Sequence, residues 1–292
     1  MNKPNFLIIG ASKAATTSLW YILKQHPEIY MPEKKELNFF VKQNITDEEI
    51  QEYNEYFHAA NKSHKAFGEA SPVYSETHIA PWVPKNIHDY NPDMKLVYVV
   101  RHPYTRIESA FKQTLHTGHW KRNVYKERFG LDVSKMPVEL DKAIKTYPPL
   151  IGASRYWFHL SNYLKYFDKE QIHVLYYEDF KLNAKNEITR ILEFLGLKDV
   201  TEEIDLSPKN VDRGRKMDNP TFQRFKNMLI YPVVKNIIPQ RMKDTLAKRY
   251  AKRDVPKAKL NDNQKSIIKK ELQDDIAQLH KFCGKPLDFW KL

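Results

Sequence analysis

The chain reads as an α/β protein built on a parallel sheet, and three observations predict it. Its strongest apolar runs are continuous rather than alternating, they are interleaved with stretches of helical spacing, and the first two end in turns rich in anion-binding groups. Phe6-Leu7-Ile8-Ile9 is the first buried strand. It passes through Gly10–Ala15 into a helix in which Leu19, Ile22 and Leu23 share a face, with the hydroxyl residues ahead of that run as natural N-caps and His26-Pro27 as its stop. Lys95–Val100 is the second strand, followed by a turn at His102-Pro103 and a helix from about Thr105 to Leu115. Gln171–Tyr177 is the third, and Ala184–Leu195 a helix closed by Gly196. A last amphipathic helix is expected over about Asp262–Phe282, ending at Gly284 with Pro286 beyond.

Between these elements, Val41–His64 and His116–Pro149 are polar, dotted with aromatics and irregular, and read as insertions beside the sheet. Asn210–Lys216 reads as a loop. At 292 residues the expectation is one domain over 1–292, with 209–292 a loop-plus-helices extension packed on it.

Composition narrows the function classes. Residues 209–292 carry 21 Lys and Arg against 9 Asp and Glu, so the whole net charge of +12 falls there and the first 208 residues are neutral. An anionic partner is favoured, against the plainer reading of a solvated basic face. Cys283 is the single cysteine, which rules out an internal disulfide and a cysteine-built zinc site. The apolar runs are strand-sized, too short for a bilayer, and the N-terminus shows no signal-peptide pattern. A reducing cytoplasm is the expected location, with peripheral contact to an anionic membrane through the basic region as the variant to test.

Two segments carry chemistry. Gly10-Ala11-Ser12-Lys13-Ala14-Ala15-Thr16-Thr17 lies between strand and helix, where backbone N–H groups and the positive helix end meet a phosphate. Lys13 adds a cation, and Thr16 and Thr17 add hydroxyls. The Walker order would put lysine after a second glycine at the helix start; here it comes three residues after the first. An ordinary turn with an exposed lysine fits this segment equally well. In the second, Arg101 stands at a strand's carboxyl end and Ser109 within the next helix, able to converge on one phosphate. An Arg101 ion pair and a surface Ser109 are the plainer alternative.

Together these segments resemble the PAPS-dependent sulfotransferases, most closely the bacterial and glycosaminoglycan branch (PAPS is 3′-phosphoadenosine 5′-phosphosulfate, PAP its desulfated product). Lys13-Ala-Ala-Thr16-Thr17-Ser18-Leu19 is similar to the family's K-x-G-T-T-x-L loop, and Arg101-His-Pro through Arg106 to Ser109 to its R-x-P-x-x-R-x-x-S motif. Lys35-Glu36-Leu37-Asn38-Phe39-Phe40 resembles K-E-x-H-F-F, and Gly68-Glu69-Ala70-Ser71-Pro72-Val73-Tyr74 resembles G-E-x-S-P-x-Y. Arg213-Gly214-Arg215-Lys216 is similar to the basic loop that closes over the nucleotide, and the Trp290 ending to that of bacterial members. The chain departs from the family at Ala15, usually glycine, at Asn38, often histidine, and at Ala70, lysine in some members.

The resemblance implies a P-loop-like central parallel sheet flanked by helices, PAPS as sulfuryl donor, and no metal. It implies that Lys13 stabilises the leaving 5′-phosphate, held also by Ser12, Ala14, Ala15, Thr16, Thr17 and Ser18. Arg101 and Ser109 would grip the 3′-phosphate, with Arg213, Gly214, Arg215 and Lys216 covering it. Glu36 is the favoured general base and Glu69 the alternative; for either, a structural ion pair is the plainer fate. His116 and His119 form a weak candidate pair with no third ligand. Polysaccharide, glycolipid and small hydroxylated acceptors stay open, and no nucleic-acid partner is expected. The competing classes are a P-loop-type nucleotide kinase and a non-catalytic basic protein that binds membrane or nucleic acid.

Overall fold

A computed structural model describes residues 3–117, 137, 139–207, 216–217, 253–254 and 258–292, the backbone alone at 115–117, 216–217 and 253–254. Five parallel strands form the central sheet: β1 (Phe6–Gly10), β2 (Ile29–Tyr30), β3 (Ala66–Ala70), β4 (Lys95–Val100) and β5 (Ile172–Tyr176), in the spatial order β2-β3-β1-β4-β5. Phe6 to Ile9 and Leu96 to Val100 are 0% exposed, the burial expected of strands covered on both faces. Helices α1 (Thr16–Leu23), α2 (Asp47–Glu55), α3 (Val83–Tyr90), α4 (Pro103–Thr117), α5 (Leu140–Thr146), α6 (Pro148–Gly152), α7 (Tyr156–Tyr163), α8 (Tyr177–Leu182), α9 (Ala184–Leu195) and α10 (Asp262–Cys283) flank it.

The parallel α/β fold and its three main strands match the sequence reading, with differences at the edges. The helix expected from Thr105 begins two residues earlier, with Pro103 supplying a φ suited to the first helical position. The hydroxyl residues at the start of α1 are not its caps. Ala15 is the N-cap, Thr16, Thr17 and Ser18 lie inside the first turn, and no side-chain hydrogen bond caps that end. The segment Val41–His64 is also more regular than expected, because Thr46 and Glu49 form a capping box that starts α2.

The C-terminal helix is joined closely to the sheet domain. Ile268, Leu272, Ile276 and Leu279 of α10 are buried, and Asp275 accepts the N–H groups of Trp157 (3.0 Å) and Phe158 (2.7 Å) at the start of α7. Burial pushes the Asp275 carboxyl up to about 6, against the pull of those N–H groups. Of the basic stretch 209–257, β6 (Lys216–Met217) and β7 (Arg253–Asp254) are described; they pair antiparallel, with β6 beside α4. Among the described residues no helix is long and apolar enough to cross a membrane.

Topology sets where a ligand can sit. The chain leaves β1 toward the β3 side, and after β4 it moves outward to β5, so the strand order reverses beside β1. In open α/β sheets the crevice at the carboxyl ends of strands, at that reversal, is the ligand site. The residues following Ala70, Gly10, Val100 and Tyr176 emerge side by side along this edge.

Candidate active site

The loop after β1 is a strained turn held by a buried strand. Ala11 donates its N–H to Val99 O (2.6 Å), and Lys13 and Ala15 both take left-handed backbone conformations, φ 70° and 71°. Each such residue costs about 1–2 kcal/mol. Burying Phe6, Leu7, Ile8 and Ile9 contributes about 1.5–3 kcal/mol apiece, so the anchoring strand outweighs the strain. Ala15 thus stands in the conformation for which the family's usual glycine is suited. Gly10 is needed for another reason: a Cβ there would lie 2.1 Å from Ser75 Oγ. The turn delivers the first N–H groups of α1, with no acidic residue in that first turn. Ala14, Thr16 and Ser18 are buried, while Ser12, Lys13 and Thr17 are half-buried.

Arg101 leaves the end of β4 beside this loop. Its Nη1 donates to the Lys13 carbonyl (3.2 Å) and its Nε to Thr105 Oγ1 (2.9 Å). The register Val100 to Tyr176 brings Tyr177 alongside, and the guanidinium lies 4.6 Å from that ring's centroid. The Arg101 carbonyl accepts from Tyr156 OH (2.7 Å), and the N–H of His102 donates to Glu178 Oε1 (3.0 Å). Glu178 Oε2 accepts the indole N–H of Trp290 (3.0 Å), which ties the C-terminal tail to the turn after β4.

Helix α4 presents a polar row toward these two cations. Thr105, Ser109 and Gln113 are four residues apart and so share a face. Thr105 holds Arg101, and Gln113 Oε1 accepts from Lys13 Nζ (3.3 Å). Ser109, half-buried, lies between them on that face. The arrangement suits an anion with several phosphoryl oxygens: cations at both ends, hydroxyls between, and a helix N-terminus opposite.

Arg106, part of the same sequence motif, is used otherwise. It is 1% exposed, donates from Nε to Ser154 Oγ (2.5 Å) and from Nη2 to Leu150 O, and so joins α4 to the α6–α7 turn.

Across the loop, on the β3 side, is Glu36. Its N–H donates to Ala70 O (3.2 Å) and its side chain, 54% exposed, pairs with Lys35 Nζ (2.9 Å). Glu69 is on β3 itself and is 1% exposed, accepting from Ser71 Oγ (2.7 Å) and from the hydroxyls of Tyr74 (2.5 Å) and Tyr53 (3.4 Å). Burial raises its pKa, and these hydrogen bonds oppose the rise.

The remaining sequence candidates divide as follows. Arg213, Gly214, Arg215 and His119 lie outside the described residues, and of Lys216 and His116 only the backbone is described. Among the described residues no group of three or more His, Cys, Asp or Glu is arranged to hold a metal. Gln113, Tyr177 and Glu178 were missed. The i, i+4 spacing from Ser109 was a signal for Gln113, whereas Tyr177 and Glu178 needed the β4–β5 register.

The sulfotransferase domain family matches residues 3–231. The chain is similar to heparan sulfate glucosamine 3-O-sulfotransferase 5 of Homo sapiens, 29% identical over 197 residues that cover 66% of this chain and 54% of that protein. It is also similar to the membrane-associated sulfotransferase kil1 of Dictyostelium discoideum, 22% identical over 302 residues, 78% of this chain and 62% of that one. The chain spans about half the length of the first of these, 54%. Among solved structures, a sulfotransferase from Alicyclobacillus acidocaldarius shares the fold, with a TM-score of 0.63, 23% identity and 100% of both chains covered.

Proposed function

The chain belongs to the sulfotransferase domain family, and from that premise we propose that it moves a sulfuryl group from PAPS to a hydroxyl or amine of an acceptor, a glycan by preference. The observation that carries the reading is the meeting of Lys13 and Arg101 at the ends of the Thr105-Ser109-Gln113 row, beside an uncapped helix N-terminus. These groups fit a donor with phosphates at two positions. The glycan preference rests on the similarity to heparan sulfate glucosamine 3-O-sulfotransferase 5; lipid and small hydroxylated acceptors are the alternatives.

Bound here, PAPS supplies a sulfuryl group on a phosphate leaving group. Arg101 and Ser109 hold the 3′-phosphate; the loop Ser12–Ser18 holds the 5′-phosphate. Glu36 takes the acceptor proton as the new bond to sulfur forms. Lys13 stabilises the charge left on the 5′-phosphate as the old S–O bond breaks. Glu36 is preferred to Glu69 as base because it is half exposed, while Glu69 has its oxygens engaged by three hydroxyls. Arg213 to Lys216 are assigned to the nucleotide cover on sequence resemblance alone.

PAP is expected to raise the melting temperature by roughly 5 °C at a hundred times its dissociation constant, equivalent to about 2.7 kcal/mol. A thermal shift with ATP and Mg²⁺ but none with PAP would replace this reading with a kinase. Arg101→Ala or Ser109→Ala should weaken PAP binding about ten- to a hundredfold, the worth of a charged hydrogen bond, while leaving turnover at saturating donor nearly intact. Calorimetry and steady-state kinetics on the same preparations test that split; unchanged PAP affinity in both variants would remove these residues from the donor site.

A further inference from the structure

Glu69 holds more than its own side chain. Ser71 Oγ and Tyr74 OH, which donate to its two oxygens, each accept a backbone N–H in turn: Ser71 from Asn38 (3.0 Å), Tyr74 from Phe39 (2.8 Å) and more weakly Phe40 (3.4 Å). Two consecutive amides, 38 and 39, therefore end on one buried carboxylate, each through a single hydroxyl.

The segment so held is strained. Glu36 and Asn38 have φ of 63° and 54°, left-handed conformations that asparagine tolerates and glutamate rarely adopts. Such backbone persists only where its surroundings over-determine it. Here the amides ending on Glu69 and the bond from Glu36 N–H to Ala70 O do so, and Phe39 and Phe40, 6% and 0% exposed, anchor the next turn in the core. Glu36 alone of this run points a charged side chain outward, 54% exposed.

We propose that Glu69 is the positioning residue for Glu36: through Ser71 and Tyr74 it locks the left-handed turn that aims Glu36 at the acceptor. The proposal rests on the reading of Glu36 as general base. It assigns Glu69 no contact with acceptor or donor, and it explains why a second carboxylate lies beside the base without sharing its task.

The test uses Ser71→Ala, Tyr74→Phe and Glu69→Gln in the full chain, read by PAP release from PAPS with heparan sulfate or with water alone as acceptor. Each is expected to keep PAP affinity within about threefold and to lower kcat about ten- to a hundredfold, the effect of misplacing a catalytic group by an ångström or so. The acid limb of the pH profile should survive in Glu69→Gln, since the base itself is untouched. Most telling is the double variant Glu36→Gln with Tyr74→Phe, expected to be no slower than Glu36→Gln alone because both changes remove one function. Losses that multiply would make Tyr74 merely structural and overturn the proposal, as would wild-type turnover in both Ser71→Ala and Tyr74→Phe. Should Glu69→Gln fail to fold, those two variants decide. Wild-type turnover in Glu36→Gln would instead sink the base assignment underneath.

Discussion

Lys13→Met should cut turnover by about two to three orders of magnitude at saturating PAPS, the loss found when one donor to a developing charge is removed. Methionine keeps the stem's length and removes the ammonium, so packing beside α4 changes little. The local backbone argues for a turnover effect over a binding effect. Lys13 occupies a left-handed turn whose carbonyl is clamped by Arg101, so its Cα is fixed and its Nζ, bonded to Gln113 at 3.3 Å, moves only by side-chain rotation. On the proposed reading, with Arg101 at the 3′-phosphate, a cation placed so would act mainly on the charge that builds on the leaving 5′-phosphate. Such a contact would be stronger in the transition state than in the ground state, and contacts of that kind raise kcat. Single-turnover measurement of PAP release, set beside PAP affinity by calorimetry, separates the two effects. A variant that binds PAP a hundredfold more weakly yet turns over normally at saturation would make Lys13 a binding residue only.

Glu36→Gln is the second large effect: acceptor sulfation should fall about a hundred- to ten-thousandfold, the span of general base catalysis, with PAP binding within a few-fold of wild type. The amide keeps the shape of the side chain and can still accept from Lys35, so the turn at residues 36–38 should persist and only basicity is lost. Its position allows this. Glu36 is tied to the end of β3 by its own N–H, while the groups proposed to hold the donor belong to the β1–α1 loop, the turn after β4 and α4, so each can be altered without the other. If Glu36→Gln keeps near-normal turnover and Glu69→Gln loses it, the base is Glu69. Normal rates in both would point to a histidine, or to an amine acceptor that needs little help.

The placement of Lys13 and Arg101 at the sheet edge was legible in the sequence because each lies within a few residues of a strand end, and strand ends declare themselves. Phe6–Ile9 and Lys95–Val100 are continuous apolar runs, and the residue that follows such a run in a parallel sheet emerges at the carboxyl edge. Spacing along one helix likewise carries Thr105, Ser109 and Gln113 to one face. The capping box at Thr46 and Glu49 was equally local, and was passed over only because its surroundings are polar.

Glu69 marks where local reading stops. Ala66-Phe67-Gly68-Glu69-Ala70 contains a charge and a glycine, and no pattern in it announces a central strand. It becomes one because β1 pairs with it, and Gly68 is required there because a Cβ would meet the Phe6 ring at 2.2 Å. Pairing, not propensity, buries the Glu69 carboxylate among Ser71, Tyr74 and Tyr53. Arg106 teaches the same lesson in reverse: its motif speaks of phosphate, yet the guanidinium is buried and donates its hydrogen bonds to Ser154 and Leu150. By itself the sequence determined the fold class, the family and the groups that follow its strands, since these depend on short-range periodicity and on residues adjacent in the chain. Only the tertiary structure decided which carboxylate faces solvent and which is a buried hub, because burial and hydrogen-bond saturation are properties of neighbours that lie far apart along the chain.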